Sequence, residues 1–368
     1  MRYILYIIST LFFGPAVSAQ DTLTRFLDEN LEMTENREEA SFSADVFKKD
    51  DQWKAIIYYG TGNMAAEGSY RDKKLKVKHG WFTFYYSATG RKMYQVRYEN
   101  NFQVDVWRSW YENGRIRDSG MLDDGKKTGY WQTWHSNGVL AAAGAFTTTY
   151  PMEIPEMNGL FPRDKRERRA YFMARLPDVR TGLWKTWYRN GQIKDSLNYS
   201  VGKEEGIARS WYENGKLESV GASIGGKQQG TWEWFHENGQ KATIEQYKEG
   251  KLNSMQCFDT LGNLTGDFCS LNKAALFPGG TVAFEEYLKK NLKYPERAGS
   301  QNGFVEMEVT IGANGKPISV DIEQSPSNYF SQEAERLIYE MPVWEPAISH
   351  NRTVPFVVFV KLAFNPPK

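Results

Sequence analysis

The sequence is poor in the residues that build metal and redox sites. Its 368 residues include two cysteines and four histidines, and the histidines have no mutual spacing that indicates a site. Because zinc sites need clustered ligands, we expect no metal and no cofactor. Gly60-Thr61-Gly62 is too short for a nucleotide fingerprint, and no nucleophile–base pair is evident. We therefore expect a protein that is not an enzyme.

Net charge and long apolar runs are also scarce. The formal net charge of +1 gives no global field for nucleic acid, so no nucleic-acid partner is expected. The apolar run Tyr3–Phe13 is shorter than the ~20 residues of a membrane span. Val17-Ser18-Ala19 follows it with the small residues of a cleavage site. We predict a signal peptide over residues 1–19 and a periplasmic protein. The alternative is an uncleaved inner-membrane anchor, which would be the chain's membrane contact.

The two cysteines flank a predicted hairpin turn at Gly262. Antiparallel strands leaving that turn could bring Cys257 and Cys269 close enough to form a disulfide, and an exported protein meets an oxidising compartment. The alternative is a pair of small, unlinked apolar side chains. The sequence leaves both possibilities open.

What the chain does have is a repeated aromatic hairpin, as in "SWYENGRIRDSG" from Ser109. The turn glycines recur every 24 residues, and tryptophans keep the same register. Asn-Gly indicates one hairpin turn because both residues tolerate positive φ, and Gly-Lys indicates the second. Each unit thus holds two strands of an antiparallel β-meander. The repeat-defining residues are Trp110, Gly114, Trp134, Gly138, Trp187, Gly191, Trp211 and Gly215.

The repeats predict the organisation of most of the chain. An N-terminal segment (20–52) precedes repeats over residues 53–268, which an insert at about 147–177 interrupts. Stacked units would place aromatic columns on both faces of the sheet. His135 and His236 occupy a column that elsewhere holds Tyr111 and Tyr212, which favours packing over catalysis. The stretch "GLWKTWYRNGQIKDSLNYSVGKEEG" (182–206) resembles the MORN-variant repeats of the YwqK antitoxin-like family. That resemblance implies a twisted antiparallel sheet used for protein or envelope contacts.

The composition changes after residue 268. Residues 269–276 read as a linker, and residues 277–368 predict helix, strand, strand, helix, strand from their apolar periodicity. The expected fold is therefore mainly β plus α+β, with a repeat meander followed by a small two-helix, three-stranded domain. The segment resembles a TonB C-terminal domain through Phe277-Pro278-Gly279-Gly280, Tyr294-Pro295, Gly303, Asn314-Gly315, Glu333-Ala334 and Trp344-Glu345-Pro346.

The resemblance implies a function in binding. The family's domain grips an extended peptide of an outer-membrane transporter by strand addition, so we expect an envelope protein, such as a TonB-dependent transporter, as partner. The candidate edge residues are Phe356, Val357, Val358, Phe359 and Val360. An energy transducer keeps a membrane helix and a proline-rich spacer, whereas this chain has 14 prolines and no such run before Phe277. We therefore predict a periplasmic adaptor, the alternatives being an anchored transducer or a purely structural scaffold.

Overall fold

A computed structural model describes residues 22–29, 31–35, 37–147, 178–265, 269 and 272–366. The predicted signal peptide and all but the first residue of the predicted insert lie outside these residues. The chain divides into two compact units, Met1–Glu204 and Glu205–Lys368. The predicted fold class is confirmed, because a long antiparallel meander precedes two helices and a three-stranded sheet. No helix within the described residues is long and apolar enough to cross a membrane.

The first unit is an antiparallel meander in which each strand pairs with the next. Two of its strands come from the N-terminal segment, for which the sequence analysis predicted no particular secondary structure. Its core includes the fully buried Leu27, Val46, Ile57, Tyr70 and Phe82. The strands are β1 (Leu23–Leu27), β2 (Phe42–Lys49), β3 (Gln52–Tyr59), β4 (Met64–Tyr70), β5 (Gly80–Tyr85), β6 (Lys92–Glu99), β7 (Phe102–Trp110), β8 (Ile116–Asp123), β9 (Lys126–Trp134), β10 (Leu140–Thr147), β11 (Val179–Trp187), β12 (Ile193–Ser200) and β13 (Lys203–Glu204).

The second unit begins with more repeat strands and continues into the C-terminal domain. Its meander consists of β14 (Gly206–Trp211), β15 (Leu217–Ile224), β16 (Lys227–Phe235), β17 (Lys241–Lys248) and β18 (Lys251–Cys257). The domain follows with α1 (Gly280–Asn291), β19 (Gly303–Ile311), β20 (Pro317–Gln324), α2 (Asn328–Tyr339), β21 (Ala347–Ser349), β22 (Arg352–Val354) and β23 (Phe356–Phe364). The predicted order is present, with the short hairpin β21–β22 in addition. Pro355 separates β22 from β23, where the apolar run Thr353–Phe364 predicted one strand, because proline has no N–H to donate to a ladder.

The predicted linker is not a free spacer. Lys273 exchanges two backbone hydrogen bonds of 2.9 Å with Ile348 of β21. Leu276 does the same with Glu345, at 2.8 and 2.9 Å. The first residue of this linker, Cys269, forms a disulfide with Cys257, with a Cα–Cα distance of 5.5 Å.

The repeats use two kinds of turn. At the Asn-Gly turns only the glycine has positive φ, 83–91° at Gly114, Gly138, Gly191 and Gly215, so the expectation for the asparagine is wrong. The turn asparagine instead bonds across repeats, as Asn113 Nδ2 does to the Ser136 carbonyl at 2.9 Å. The turns at the Gly-Lys end have positive φ at both central residues, as at Val201 (47°) and Gly202 (76°). These are therefore the turns that match the right-handed twist of a two-residue hairpin.

Each buried tryptophan of the repeats (Trp131, Trp184 and Trp232) lies flat on a glycine of the preceding hairpin. A Cβ on Gly120 would lie 2.1 Å from Trp131, and one on Gly221 would lie 2.0 Å from Trp232. The indole Nε1 then donates to the carbonyl after that glycine, from Trp131 to Met121 at 3.1 Å and from Trp232 to Ala222 at 2.9 Å. The missing side chain of the glycine thus leaves room for the indole ring, and the hydrogen bond satisfies the buried N–H of the indole.

A second ladder joins the turns along the sheet. The carbonyl of Trp134 accepts from the Tyr111 hydroxyl at 2.7 Å, and the carbonyl of Trp110 accepts from Tyr86 at 2.8 Å. His135 Nε2 lies 2.8 Å from the Trp187 carbonyl, and His236 Nε2 lies 3.1 Å from that of Phe258. Both histidines therefore take the place of a tyrosine in packing, as their column indicates.

Candidate functional site

The last strand of the C-terminal domain has one paired edge. β23 is antiparallel to β19 over nine residues, from Gly303 opposite Phe364 to Ile311 opposite Phe356. The sheet order is β20-β19-β23, so among the described residues no strand pairs with the outer edge of β23. The five candidate edge residues, 356–360, all lie on this strand. An edge strand offers unpaired N–H and C=O groups to an incoming peptide.

The two faces of β23 differ in character. Val360, Leu362 and Phe364 are buried on one face, where Phe364 stacks on Phe330 of α2 at 4.5 Å between ring centroids. On the other face Val357 is 39% exposed and Phe359 75% exposed. The strand is therefore anchored through one face and presents apolar side chains on the other.

The exposed face continues onto β19. Lys361 Nζ lies 2.6 Å from Glu306 Oε1 and 4.5 Å from the centre of the Phe304 ring, which is 52% exposed. Phe304 and Phe359 thus lie on the same face of the sheet, with a single ion pair between the strands that carry them. A segment laid beside β23 would contact Phe359 through alternate side chains.

The residues that carry the resemblance to a TonB domain pack in the core of the domain or fix its backbone. Phe277 is 5% exposed, and its ring centroid lies 5.3–5.5 Å from those of Phe284, Tyr287 and Trp344. Gly315 has φ of +77°, and a Cβ there would lie 2.1 Å from the Trp344 carbonyl oxygen. These residues have packing and backbone roles.

Glu333 joins the two helices of the domain. Its carboxylate accepts from the Lys293 backbone N–H at 2.7 Å and from Arg336 at 2.7 and 2.8 Å. Arg336 in turn donates to the Asn291 carbonyl at the end of α1, at 3.0 Å. Burial raises the pKa of Glu333, but the hydrogen bonds from Arg336 and Lys293 outweigh it and lower that pKa below its ordinary value.

The hairpin β21–β22 is docked on the last repeat strands. Its turn residues, His350 and Asn351, have φ of 50° and 59°. The His350 ring stacks on Trp234 with centroids 3.7 Å apart, and its Nδ1 lies 2.8 and 2.9 Å from the two carboxylate oxygens of Glu245. Asn351 Nδ2 donates to the Phe258 carbonyl at 3.1 Å. We call the recess formed by Tyr212, Glu218, Trp234 and Glu245 the hairpin socket.

Arg352 is the second side chain that the socket holds. It is 5% exposed, and its guanidinium donates to the Tyr212 hydroxyl at 2.7 Å and to Glu218 at 3.0 Å. Its Cζ lies 4.9 Å from the centre of the Trp234 ring. A planar guanidinium satisfies such a site because it can stack on an aromatic face while donating within its plane.

The socket is built where the last repeat departs from the repeat pattern. At the position of Glu245, earlier repeats have Gly120, Gly144, Leu197 and Gly221, and at the position of Trp234 they have Ser109, Thr133, Thr186 and Ser210. Glu245 is 1% exposed and accepts from the hydroxyls of Thr243 and Tyr247 at 2.9 and 2.7 Å and from the Trp234 indole at 3.2 Å. The glycine that would receive a next tryptophan is thus replaced by the carboxylate that receives His350.

Sequence reasoning missed this socket. It set His350 aside because the four histidines share no spacing, yet the partner of His350 lies 105 residues earlier. Two signals were present: the departures at Trp234 and Glu245, and the pair His350-Asn351 between short β-forming runs, which suits a two-residue hairpin turn.

The hairpin socket should make the unfolding stability of the second unit sensitive to acid. Burial raises the pKa of Glu245, but hydrogen bonds from His350, Tyr247 and Thr243 outweigh it and hold that pKa below its ordinary value of 4.5. A lowered folded-state pKa contributes stability that is present above the unfolded-state pKa and is lost as pH falls through the folded-state value. We therefore expect the urea midpoint to fall as pH drops below 4.5.

The measurement is urea unfolding between about pH 6 and about pH 3. Glu245→Gln should flatten the acid limb, and Glu233→Gln should leave it unchanged, since Glu233 forms a part-exposed pair with Lys241 at 2.7 Å. The dependence of the urea midpoint on pH that remains in Glu245→Gln comes in part from Glu333, whose pKa is also lowered. An unchanged acid limb in Glu245→Gln would show that Glu245 does not carry the effect.

Comparisons with known proteins agree with both resemblances. Residues 290–366 match the family described as Gram-negative bacterial TonB protein C-terminal. Residues 180–200, 204–221 and 228–249 match the MORN repeat variant. No curated protein matches the chain. The TonB match supports a protein-interaction role in the bacterial envelope.

Two solved structures show only weak similarity. The first is described as "Crystal Structure of TcdB2-TccC3-Cdc42"; it is 13% identical, covers 64% of this chain and 13% of its own, and has a TM-score of 0.17. The second is a porin-like protein from Bacteroides uniformis, 8% identical over 57% of this chain and 91% of its own, with a TM-score of 0.13.

Proposed function

We propose that this protein, which carries MORN-variant repeats and a TonB C-terminal domain, is a non-enzymatic periplasmic adaptor. Its C-terminal domain binds an extended segment of another envelope protein, such as an outer-membrane transporter, as an additional strand beside β23. The observation that carries the proposal is the outer edge of β23, which has no paired strand among the described residues. Its inner face is fixed on a packed core, so the edge is preorganised for binding.

The repeats have a mechanical role in this proposal. The hairpin socket ties the domain to strands β15, β16 and β17 through the Arg352–Glu218 ion pair, the ring stack of His350 on Trp234, and hydrogen bonds to Glu245 and Tyr212. A domain held in this way transmits the position of its bound partner to the last repeats. A domain on a free linker would not do so.

Peptide titration tests the proposal. The full chain is titrated, by isothermal calorimetry, with extended peptides of about ten residues from the periplasmic segments of outer-membrane transporters. Two versions of a binding peptide carry N-methyl groups on alternate residues, offset by one. Only one of the two should lose binding, because successive backbone groups of a strand point to opposite sides. Equal binding by all three peptides would contradict strand addition.

Side-chain variants add a second readout. We expect Phe359→Ala to weaken peptide binding by about tenfold. The matched control is Ile318→Ala, which changes a side chain that is 56% exposed on the opposite edge strand, β20. A larger loss in Ile318→Ala would place the partner on the other edge.

A further inference from the structure

A polar groove of about 710 Å³ lies on one face of strands β2–β6 in the first unit. Side chains alternate along these strands, so the face opposite the groove carries the buried Phe82 and Val96. On the groove side Ser69 and Thr83 are each 4% exposed and form a hydroxyl-lined floor. The groove is therefore the polar side of the sheet that covers the core of the first unit.

The polar side chains around this floor are already positioned by one another. Lys54 Nζ donates to Ser69 Oγ at 2.6 Å and to Gln52 Oε1 at 3.1 Å. Gln95 Nε2 donates to Thr83 Oγ1 at 3.2 Å. Amide and hydroxyl groups held in this way can donate to and accept from a ligand rich in hydroxyl groups, with little loss of side-chain entropy.

The groove is more basic than the chain as a whole. Lys49, Lys54 and Arg97 line it with one lining carboxylate, Glu67, which accepts from the Tyr85 hydroxyl at 2.6 Å, and Arg97 is paired with Asp105 of β7 at 3.1 Å. The whole chain has a formal net charge of only +1. Lys49 and Lys54 therefore outnumber Glu67, and a concave surface with this excess of cations favours an anionic ligand.

His79 adds an unsatisfied polar atom to the lining. Its Nδ1 is buried and has no hydrogen-bond partner among the described residues. Burial, and then the nearby Arg71, lower the pKa of His79 and so favour the neutral ring. An unpaired buried nitrogen costs free energy that a ligand or water hydrogen bond would recover.

Trp81 is the apolar element of the groove. Its indole lines the polar surface and is 43% exposed. A flat aromatic ring beside amide, hydroxyl and cationic groups matches a pyranose ring, which has an apolar C–H face and a hydroxyl edge. We propose that this groove binds an acidic oligosaccharide. Trp81 stacks on one sugar ring, Gln52 and Gln95 bond to its hydroxyls, and Lys49 pairs with a sugar carboxylate.

Calorimetry on the full chain tests the proposal with three probes: a galacturonate hexamer, a neutral cellulose hexamer and a single-stranded DNA of matched charge. We expect the acidic hexamer to bind at least about tenfold more tightly than either of the others. Absence of binding at millimolar hexamer, equal binding of the neutral sugar, or equal binding of the DNA would each overturn the proposal.

Variants separate the stacking from the charge. Trp81→Ala should weaken binding of the acidic hexamer by about tenfold or more. Tyr130→Ala is the matched control, because Tyr130 also follows a positive-φ glycine within a strand, is 61% exposed and lies outside the groove. Lys49→Gln changes an exposed side chain with no expected effect on folding and should weaken binding about threefold. If Trp81→Ala and Lys49→Gln both bind like the unchanged protein, the groove is not the site.

Discussion

Gly120→Ala is expected to lower the free energy of unfolding of the first unit by about 1–3 kcal/mol, and by more if the sheet cannot adjust. The added Cβ would lie 2.1 Å from the Trp131 ring, closer than non-bonded atoms approach. Either the ring leaves its place, which breaks the Nε1 bond to Met121, or strands β8 and β9 separate locally. Both outcomes remove contacts that join one hairpin to the next.

Gly60→Ala is the matched control in the same unit. A Cβ at Gly60 would meet nothing within 4 Å, and this glycine has no positive φ. The two variants should therefore differ in their urea midpoints by an amount that reports the ring contact and not the change in glycine entropy. If Gly120→Ala unfolds at the same midpoint as Gly60→Ala, the tryptophan-on-glycine contact does not stabilise the repeats.

Glu245→Ala is expected to release the hairpin β21–β22 from its socket. Removing this carboxylate leaves His350 and the hydroxyls of Thr243 and Tyr247 without their buried acceptor. Each buried donor that is left without its acceptor costs about 1–3 kcal/mol. A loss of about 3 kcal/mol corresponds to amide exchange in residues 347–354 that is faster by on the order of a hundredfold.

Hydrogen exchange followed by mass spectrometry measures this release. Glu233→Ala is the control, since it removes a carboxylate from the same repeat whose pair with Lys241 is partly exposed. Exposed pairs contribute at most about 1 kcal/mol, so exchange in the hairpin should stay near that of the unchanged protein. Equal exchange in both variants would mean that Glu245 does not hold the hairpin.

The sequence predicted the parts of the fold that depend on local pattern. The period of the glycines and tryptophans was enough to predict a meander, because each unit contacts mainly its neighbours. The α+β order of the second unit followed from apolar periodicity in the same way. The backbone conformation within a turn was harder to predict from the sequence. The asparagine of the Asn-Gly pair does not take positive φ, and it bonds to the next repeat, as Asn113 does to Ser136.

The socket could not be predicted from local pattern because its partners are far apart in the chain. Arg352 meets Tyr212 across 140 residues and Glu218 across 134. No periodicity connects these positions, and a buried glutamate is recognisable only once its neighbours are known. The candidate edge residues 356–360 lie on β23, and their role in binding stays a prediction.

The ladder between turns gives the repeat array a direction. Tyr86 donates to the hairpin after its own, and Tyr111, Asn113 and Asn238 do the same, so each unit gives hydrogen bonds forward along the chain. A unit that gives and receives the same bonds can be duplicated or deleted whole without leaving a donor or acceptor unmatched. Each such event changes the sheet by two strand spacings, about 10 Å. Duplication or deletion of whole units therefore changes the width of the repeat sheet in fixed steps.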